Sequence, residues 1–172
     1  MKKGLIQVYT GNGKGKTTAA IGLAIRAAGA NYKVLFCQFL KSKEYSEIKC
    51  LKKNDSIIIK QFGNPNFIYS EPSESDILEA KNGITYASKA IQSNEFDLVI
   101  LDEINVVIYL KLIELRELFE LIITPKPNSV ELILTGRNAS REIIEIADLV
   151  TEMKEVKHYF NNGIPARLGI EM

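Results

Sequence analysis

Between residues 10 and 18 the chain reads Thr-Gly-Asn-Gly-Lys-Gly-Lys-Thr-Thr, a run in which three glycines alternate with polar and basic residues. Because glycine has no Cβ, several backbone N–H groups of such a loop can turn inward toward one anion. Lys16 supplies a positive charge for phosphate oxygens, and the hydroxyl of Thr17 is placed to ligate Mg²⁺. The run therefore predicts a loop that binds a polyphosphate.

The predicted nucleotide-binding residues cover the whole of this loop. They are Gly11, Asn12, Gly13, Lys14, Gly15, Lys16, Thr17 and Thr18. The general pattern G-x-x-x-x-G-K-[ST] begins with glycine, whereas this chain has Thr10 there. The alternative is a glycine-rich turn without a ligand. We favour the phosphate loop, because Gly-Lys-Thr opens a helical pattern directly after a short apolar strand pattern at residues 5–9.

A pair of carboxylates follows the most apolar segment of the chain. Residues 96–101 form an almost continuous apolar run, typical of a central parallel strand buried on both faces, and Asp102 and Glu103 come next. The carboxyl ends of parallel strands meet at one edge of a sheet, so these side chains should lie near the phosphate loop. An ordinary acidic strand end is the alternative. Because the phosphate loop is also present, we favour the metal site. We interpret Thr17, Asp102 and Glu103 as ligands of Mg²⁺ (or Mn²⁺) beside a nucleoside triphosphate.

Strand and helix patterns alternate along the chain. Strands are predicted over residues 5–9, 33–39, 56–62, 96–101, 130–134 and 149–153, and helices over 16–28, 73–93, 113–123 and 140–147. This order predicts a single α/β domain over residues 1–172 with right-handed crossovers. The expected fold is P-loop NTPase-like (RecA-like), a mostly parallel sheet of about six strands with helices on both faces.

The composition restricts the possible partners and compartments. The 172 residues carry 22 Lys and Arg against 21 Asp and Glu, a formal charge of +1, which gives no general attraction to nucleic acid or to an anionic membrane. Two cysteines form no zinc-binding or disulfide pattern. No secretion signal or transmembrane run is recognisable. We therefore expect a cytoplasmic protein that binds neither nucleic acid nor membranes.

Five segments form a joint set: VYTGNGKGKTTAA at 8–20, QFLK at 38–41, VILDEIN at 99–105, LTGRN at 134–138 and EVKH at 155–158. This set closely resembles the ATP:corrinoid adenosyltransferases of the cobalamin pathway, the P-loop type of cob(I)yrinic acid a,c-diamide adenosyltransferase. The threonine at position 10 is the residue that this family carries there. The resemblance extends over residues 5–172.

The resemblance implies a reaction in which the Co(I) centre of a corrinoid attacks C5′ of ATP and releases triphosphate. Since Co(I) is itself a strong nucleophile, the protein must align C5′ with cobalt and stabilise charge on the leaving group. The implied catalytic residues are Lys14, Lys16 and Arg137. Arg26 and Arg137 are expected near nucleotide oxygens, although Arg26 fits a solvated surface position equally well.

A second class of function remains open, a P-loop regulatory ATPase or a nucleotide-dependent binding module. The products separate the two: the transferase releases intact triphosphate and needs reduced corrinoid, whereas an ATPase releases ADP and phosphate without it.

The resemblance also places two aromatic residues, Phe67 and Tyr69, beneath the corrin ring. There they displace the lower axial ligand of Co(II), which makes reduction to Co(I) feasible. The second aromatic is Tyr here and Trp in better-known members. The alternative is that both side chains pin a loop onto the core.

Further expectations concern partners and less specific residues. The resemblance implies a homodimer and an external flavoprotein-type reductant for cobalt. Family members often carry an N-terminal extension over the site, so we expect a more open site here, or a lid from another segment or subunit. Gln38 and Lys41 could be strand-end surface residues, and His158 is assigned no chemistry.

Overall fold

A computed structural model of the chain describes residues 3–65, 68 and 71–171. Within these residues the strands are β1 (Ile6–Thr10), β2 (Val34–Phe39), β3 (Ile57–Phe62), β4 (Leu98–Asp102), β5 (Glu131–Thr135) and β6 (Leu149–Glu152). The α-helices are α1 (Lys16–Gly29), α2 (Ser46–Leu51), α3 (Glu74–Gln92), α4 (Ile104–Tyr109), α5 (Leu115–Leu118) and α6 (Arg141–Ile146). A π-helical turn, Phe119–Ile123, continues α5, and a 3₁₀ turn spans Tyr159–Asn162.

Over the described residues the strands form one parallel sheet in the order β3-β2-β4-β5-β1-β6. The predicted α/β fold with about six strands is confirmed. Strand β5 separates β1, which leads into the glycine loop, from β4, which ends at Asp102. Because all strands run the same way, the glycine loop and Asp102 lie at the same edge of the sheet.

Helices cover both faces of the sheet, as predicted. On one face α1 packs its small side chains against Phe36, Ile100 and Ile133. On the other face Ile84 and Ile91 of α3 join the larger core. The alternation of side chains along β2 divides that strand between the two cores, which explains its continuous hydrophobic run.

Helix α3 begins as the sequence predicts. The side chain of Ser73 accepts a hydrogen bond from the backbone N–H of Asp76, and the Asp76 carboxylate accepts one from the backbone N–H of Ser73. This reciprocal pair satisfies two backbone donors that the first turn of a helix leaves unpaired. Ser140 caps α6 with a single hydrogen bond, which its side chain accepts from the backbone N–H of Ile143.

Two short helices, α2 and α4, were not predicted. Only Ile48 and Leu51 of α2 are buried, which is too few for a clear helical period. Helix α4 begins after Glu103, whose backbone is left-handed with φ 65°. Its sequence Ile-Asn-Val-Val-Ile-Tyr is rich in residues that favour strands. The α-helix observed in the predicted 113–123 segment is shorter than predicted, because α5 ends at Leu118 and continues as the π-helical turn.

No helix among residues 3–65, 68 and 71–171 combines the length and hydropathy needed to cross a membrane.

Candidate active site

The glycine loop connects β1 to α1 and packs against the chain that follows β6. The N–H of Gly13 donates to the carbonyl of Met153 at 2.6 Å, and the N–H of Met153 donates to the carbonyl of Thr10 at 2.8 Å. A Cβ on Gly13 would lie 2.7 Å from the Met153 carbonyl oxygen, and one on Gly11 would lie 2.5 Å from it. Gly11 also has φ 94°. Glycine is therefore needed at both positions for the loop to close against β6.

Lys16 is buried at the first position of α1. Its Nζ donates to the carbonyl oxygens of Gly11 at 2.7 Å and Gly13 at 2.8 Å, so the ammonium lies inside the loop. Burial lowers the pKa of Lys16, and the nearby Glu103 carboxylate opposes that shift. The start of a helix adds a positive dipole at the same place. The loop is therefore arranged around one fixed positive charge.

Asp102, at the end of β4, is completely buried and has partners on both carboxylate oxygens. Its Oδ1 accepts hydrogen bonds from the hydroxyls of Thr17 at 2.9 Å and Thr135 at 2.7 Å. Its Oδ2 accepts one from Nε2 of Gln38 at 3.1 Å, and Nζ of Lys41 lies 3.6 Å away. The predicted approach of Thr17 and Asp102 is thus present in the structure.

Glu103 is half-buried and faces the same cavity as the loop. Its backbone N–H donates to the hydroxyl oxygen of Thr135 at 3.0 Å, which helps to hold the left-handed turn after β4. Burial raises the pKa of its carboxyl, and the adjacent Asp102 carboxylate raises it further. A nearby cation would stabilise the charged form of this carboxylate, which burial and Asp102 both disfavour.

The residues present fit a magnesium ion that is held jointly with a nucleotide. Mg²⁺ is usually bound through one or two carboxylates plus substrate phosphates, and it keeps several waters. Thr17, Asp102 and Glu103 carry oxygen atoms of that kind beside the loop and could serve as its ligands. In the described part of the chain, the His, Cys, Asp and Glu side chains form no group of three or more that could hold a metal ion.

A cavity of about 670 Å³ opens between the loop, the ends of β2, β4 and β5, and the residues after β6. Its lining includes Lys14, Lys16, Lys41, Arg137, Glu103 and His158. Arg137 reaches this cavity because it directly follows Gly136 at the end of β5. The combination of four cationic side chains with the glycine loop fits a ligand that carries several negative charges.

The chain from residue 2 to residue 172 matches the model of one protein family, described as ATP:corrinoid adenosyltransferase BtuR/CobO/CobP. The chain belongs to this family. It is 33% identical over 170 residues to the corrinoid adenosyltransferase of Escherichia coli (strain K12), which covers 99% of this chain and 86% of the relative. It is 34% identical over 179 residues to that of Sinorhizobium sp, covering 99% and 81%.

A third relative is the corrinoid adenosyltransferase CobA of Salmonella typhimurium, with 31% identity over 170 residues, 99% of this chain and 86% of the relative. The family predicted from the five sequence segments is therefore confirmed, and with it the prediction that the chain is an adenosyltransferase.

The structure does not bring Arg26 to the phosphate loop. Arg26 is exposed on α1 and lines a separate cavity of about 340 Å³ with Gln7, Tyr32 and Glu131. Gln7 and Glu131 stand at the beginnings of β1 and β5, whereas the loop lies at the opposite edge of the sheet. Ten helical residues separate Arg26 from Lys16, a rise of about 15 Å. Its position agrees with the surface alternative.

Lys14 lines the cavity beside the last described residues of the chain, and its side chain contacts them. Its Nζ donates to the carbonyl of Ile170 at 2.8 Å and to Oε1 of Glu171 at 3.0 Å. The Tyr159 hydroxyl donates to the same Glu171 oxygen, and the Arg167 guanidinium lies 3.2 Å from it. Ile170 and Glu171 line the cavity, so the segment after β6 forms one of its walls, which no sequence pattern predicted.

Phe67 and Tyr69 lie outside the described residues. Their assignment to the corrinoid remains a prediction.

Gln38 is not a surface residue. It is completely buried in β2, and its Oε1 accepts a hydrogen bond from Nε2 of Gln61 at 2.9 Å. Gln61, Gln38 and Asp102 occupy the same register on β3, β2 and β4. A hydrogen-bonded row therefore crosses three strands and fixes the carboxylate of Asp102 from one side. The only sequence signal for this row of hydrogen bonds was the presence of polar residues at the ends of the strands.

Proposed function

We propose that this protein transfers the 5′-deoxyadenosyl group of ATP to the Co(I) centre of a corrinoid, in the synthesis or salvage of adenosylcobalamin. The cobalt of the substrate donates an electron pair to C5′, the C5′–O5′ bond breaks, and the triphosphate leaves with that bond's electron pair. The observation that supports this most is the cavity, in which Lys16, the glycine loop and Thr17 line space for a triphosphate in a member of this family, with the buried Asp102 behind Thr17.

Several residues of the cavity would act on the leaving group. The loop amides and Lys16 would hold the triphosphate, and Arg137 would contact it from the end of β5. Donors that are already positioned stabilise developing negative charge without reorganisation, typically by about 2.7–4 kcal/mol each. The attacking nucleophile belongs to the corrinoid, so the protein's task is to align the substrates and stabilise charge.

Thr17, Asp102 and Glu103 would hold Mg²⁺ (or Mn²⁺) next to the phosphates. When bound, the ion supplies positive charge to the phosphate oxygens of the leaving group. The chain's own contribution is to keep Asp102 oriented through Thr135 and Gln38, and to keep Glu103 at the mouth of the cavity.

An anaerobic assay with ATP, Mg²⁺ and chemically reduced cob(I)alamin tests this function. We expect a light-sensitive Co–C product and one intact triphosphate per turnover. Release of ADP and phosphate at the same rate with or without corrinoid would instead support the regulatory ATPase.

We also propose that the active protein is a cytoplasmic homodimer supplied by an external flavoprotein-type reductant. Edge strand β6 supports the dimer, because Leu149 and Val150 are both exposed although they pair with β1. An open strand edge with apolar side chains is a common pairing surface. Sedimentation measurements would detect the dimer, and a concentration-independent monomer would contradict it.

A variant of Phe67 and Tyr69 would separate the two steps of the reaction, which are reduction of Co(II) to Co(I) and attack of Co(I) on C5′. If these two side chains displace the axial ligand of Co(II), replacing both by alanine should abolish activity with Co(II) and a biological reductant. Activity should largely return when Co(I) is made chemically, because attack at C5′ depends on the phosphate loop. Spectra of the Co(II) corrinoid with ATP distinguish four-coordinate from five-coordinate cobalt. Equal loss with both cobalt sources would show that the aromatics only pack the loop.

A further inference from the structure

Lys41 is held at the mouth of the cavity by its backbone. It follows β2 after Leu40, whose backbone is left-handed with φ 58°. Gly63, just beyond β3, packs against this turn so closely that a Cβ on it would lie 2.5 Å from the backbone nitrogen of Lys41. The position of the backbone is therefore fixed, while the long side chain keeps its rotatable bonds and lines the cavity.

The ammonium of Lys41 is the ionic partner of a carboxylate that has no contact with solvent. Its Nζ lies 3.6 Å from Oδ2 of Asp102, and the Lys41 side chain is 23% exposed whereas that of Asp102 is 0% exposed. The other three partners of Asp102 are neutral donors, Thr17, Thr135 and Gln38. Within residues 3–65, 68 and 71–171, no other cation lies within 4.0 Å of Asp102. A buried carboxylate needs such a countercharge.

The partners of Asp102 differ in how freely they can move. Gln38 and Thr135 are completely buried, and Gln38 is also fixed by Gln61. Lys41 instead approaches from the cavity side on a flexible stem and contacts Oδ2 at a distance longer than a tight ion pair. Unlike Gln38 and Thr135, it can leave without disturbing the sheet.

We propose that Lys41 is an exchangeable countercharge: it neutralises Asp102 before a divalent cation binds, and it binds the triphosphate once the cation has replaced it. This inference rests on the magnesium site proposed above. In both states the buried carboxylate has a cationic partner, and the released ammonium faces the cavity that the nucleotide would occupy. Lys41 is then a phosphate-binding residue that becomes available only when the metal is loaded.

The proposal predicts effects of opposite sign on the two ligands. Lys41→Met keeps the length of the side chain and removes its charge. Without a competing cation, Mn²⁺ alone should bind roughly five- to tenfold more tightly, because the ion no longer displaces an ion pair. The KM for ATP should rise at saturating metal by at least about fivefold, because one phosphate contact is lost.

Binding of Mn²⁺ in the absence of nucleotide is measured by the electron paramagnetic resonance signal of the free ion. The control is Lys43→Met, which makes the same charge change two residues away on an exposed side chain. We expect that control to leave Mn²⁺ affinity and the KM for ATP within about twofold of wild type. If Lys43→Met tightens Mn²⁺ binding as much as Lys41→Met, the effect is general electrostatics and the exchange is wrong.

The other possible results of the two measurements would each contradict the exchange of Lys41. Tighter Mn²⁺ binding with an unchanged KM would leave Lys41 as a countercharge only, and a raised KM with unchanged Mn²⁺ binding would leave it as a phosphate ligand only; either result overturns the exchange. If wild type and Asp102→Asn bind Mn²⁺ with the same affinity, the proposed magnesium site is wrong. The exchange of Lys41 is then wrong as well, because it rests on that site.

Stability provides a readout that does not depend on turnover. Removing Lys41 leaves Asp102 without its cation, so the melting temperature of Lys41→Met should fall in chelator and recover with Mn²⁺ by more than that of wild type. The charge-conserving variant Lys41→Arg should behave like wild type in chelator. A melting temperature of Lys41→Met that Mn²⁺ does not raise further than that of wild type would contradict the proposal.

Discussion

Replacing Lys16 by alanine is expected to lower kcat/KM for adenosyl transfer about 10²–10³-fold, roughly the 2.7–4 kcal/mol that a positioned electrostatic donor contributes to a transition state. The structure supports a loss of this size because the ammonium is already buried inside the loop, bound to the carbonyls of Gly11 and Gly13. The measurement is steady-state transfer to chemically reduced cob(I)alamin, with circular dichroism to confirm that the variant is folded.

Lys14→Ala is the matched comparison, because it removes the same charge from the same loop. The Lys14 side chain lines the cavity but is 41% exposed, and its ammonium is paired with Glu171. Because this ammonium is exposed to solvent and is already paired with a carboxylate, we expect the loss of kcat/KM to be less than about fivefold. If the two variants lost activity equally, the charge of the loop and not the position of Lys16 would be decisive.

The candidate site residues whose places in the fold could be predicted share one property: each is positioned by its own local segment. Lys16 and Thr17 begin a helix after a strand, and Asp102 ends an apolar strand, so the parallel sheet alone brings Thr17 and Asp102 together. The architecture could be predicted for the same reason, since strand and helix patterns alternate along the chain.

What the sequence did not reveal depends on contacts between distant segments. Lys14 and Glu171 are 157 residues apart, and no local pattern indicates that the residues after β6 return to the loop. Gln38 meets Asp102 only through the register of β2 with β4, and a glutamine at a strand end suits a surface position equally well. Arg26 was expected near the nucleotide because of its charge. Its position ten residues along α1 instead places it away from the phosphate loop.

Asp102→Asn is expected to have a similarly large effect and to act on stability as well as activity. Asn can still accept from the hydroxyls of Thr17 and Thr135. On its other side the new amide N–H₂ would face two donors, Gln38 and Lys41, and nothing there could accept. Unsatisfied buried groups cost about 1–3 kcal/mol each, so urea unfolding should show a loss of that size. Adenosyl transfer at millimolar Mg²⁺ should fall at least about 10²-fold.

The double variant Asp102→Asn with Gln38→Glu separates the structural role of this carboxylate from its metal-binding role. A carboxylate at position 38 can accept from the new amide and from Nε2 of Gln61, and it lies near the ammonium of Lys41, so the row of hydrogen bonds is restored with the charge moved by one strand. Neighbouring strands are about 4.8 Å apart, which takes the carboxylate out of reach of the ion beside Thr17. We therefore expect most of the lost unfolding free energy to return while the Mg²⁺-dependent activity stays low. Recovery of activity together with stability would mean that Asp102 serves the fold alone, and that the divalent cation is held elsewhere in the cavity.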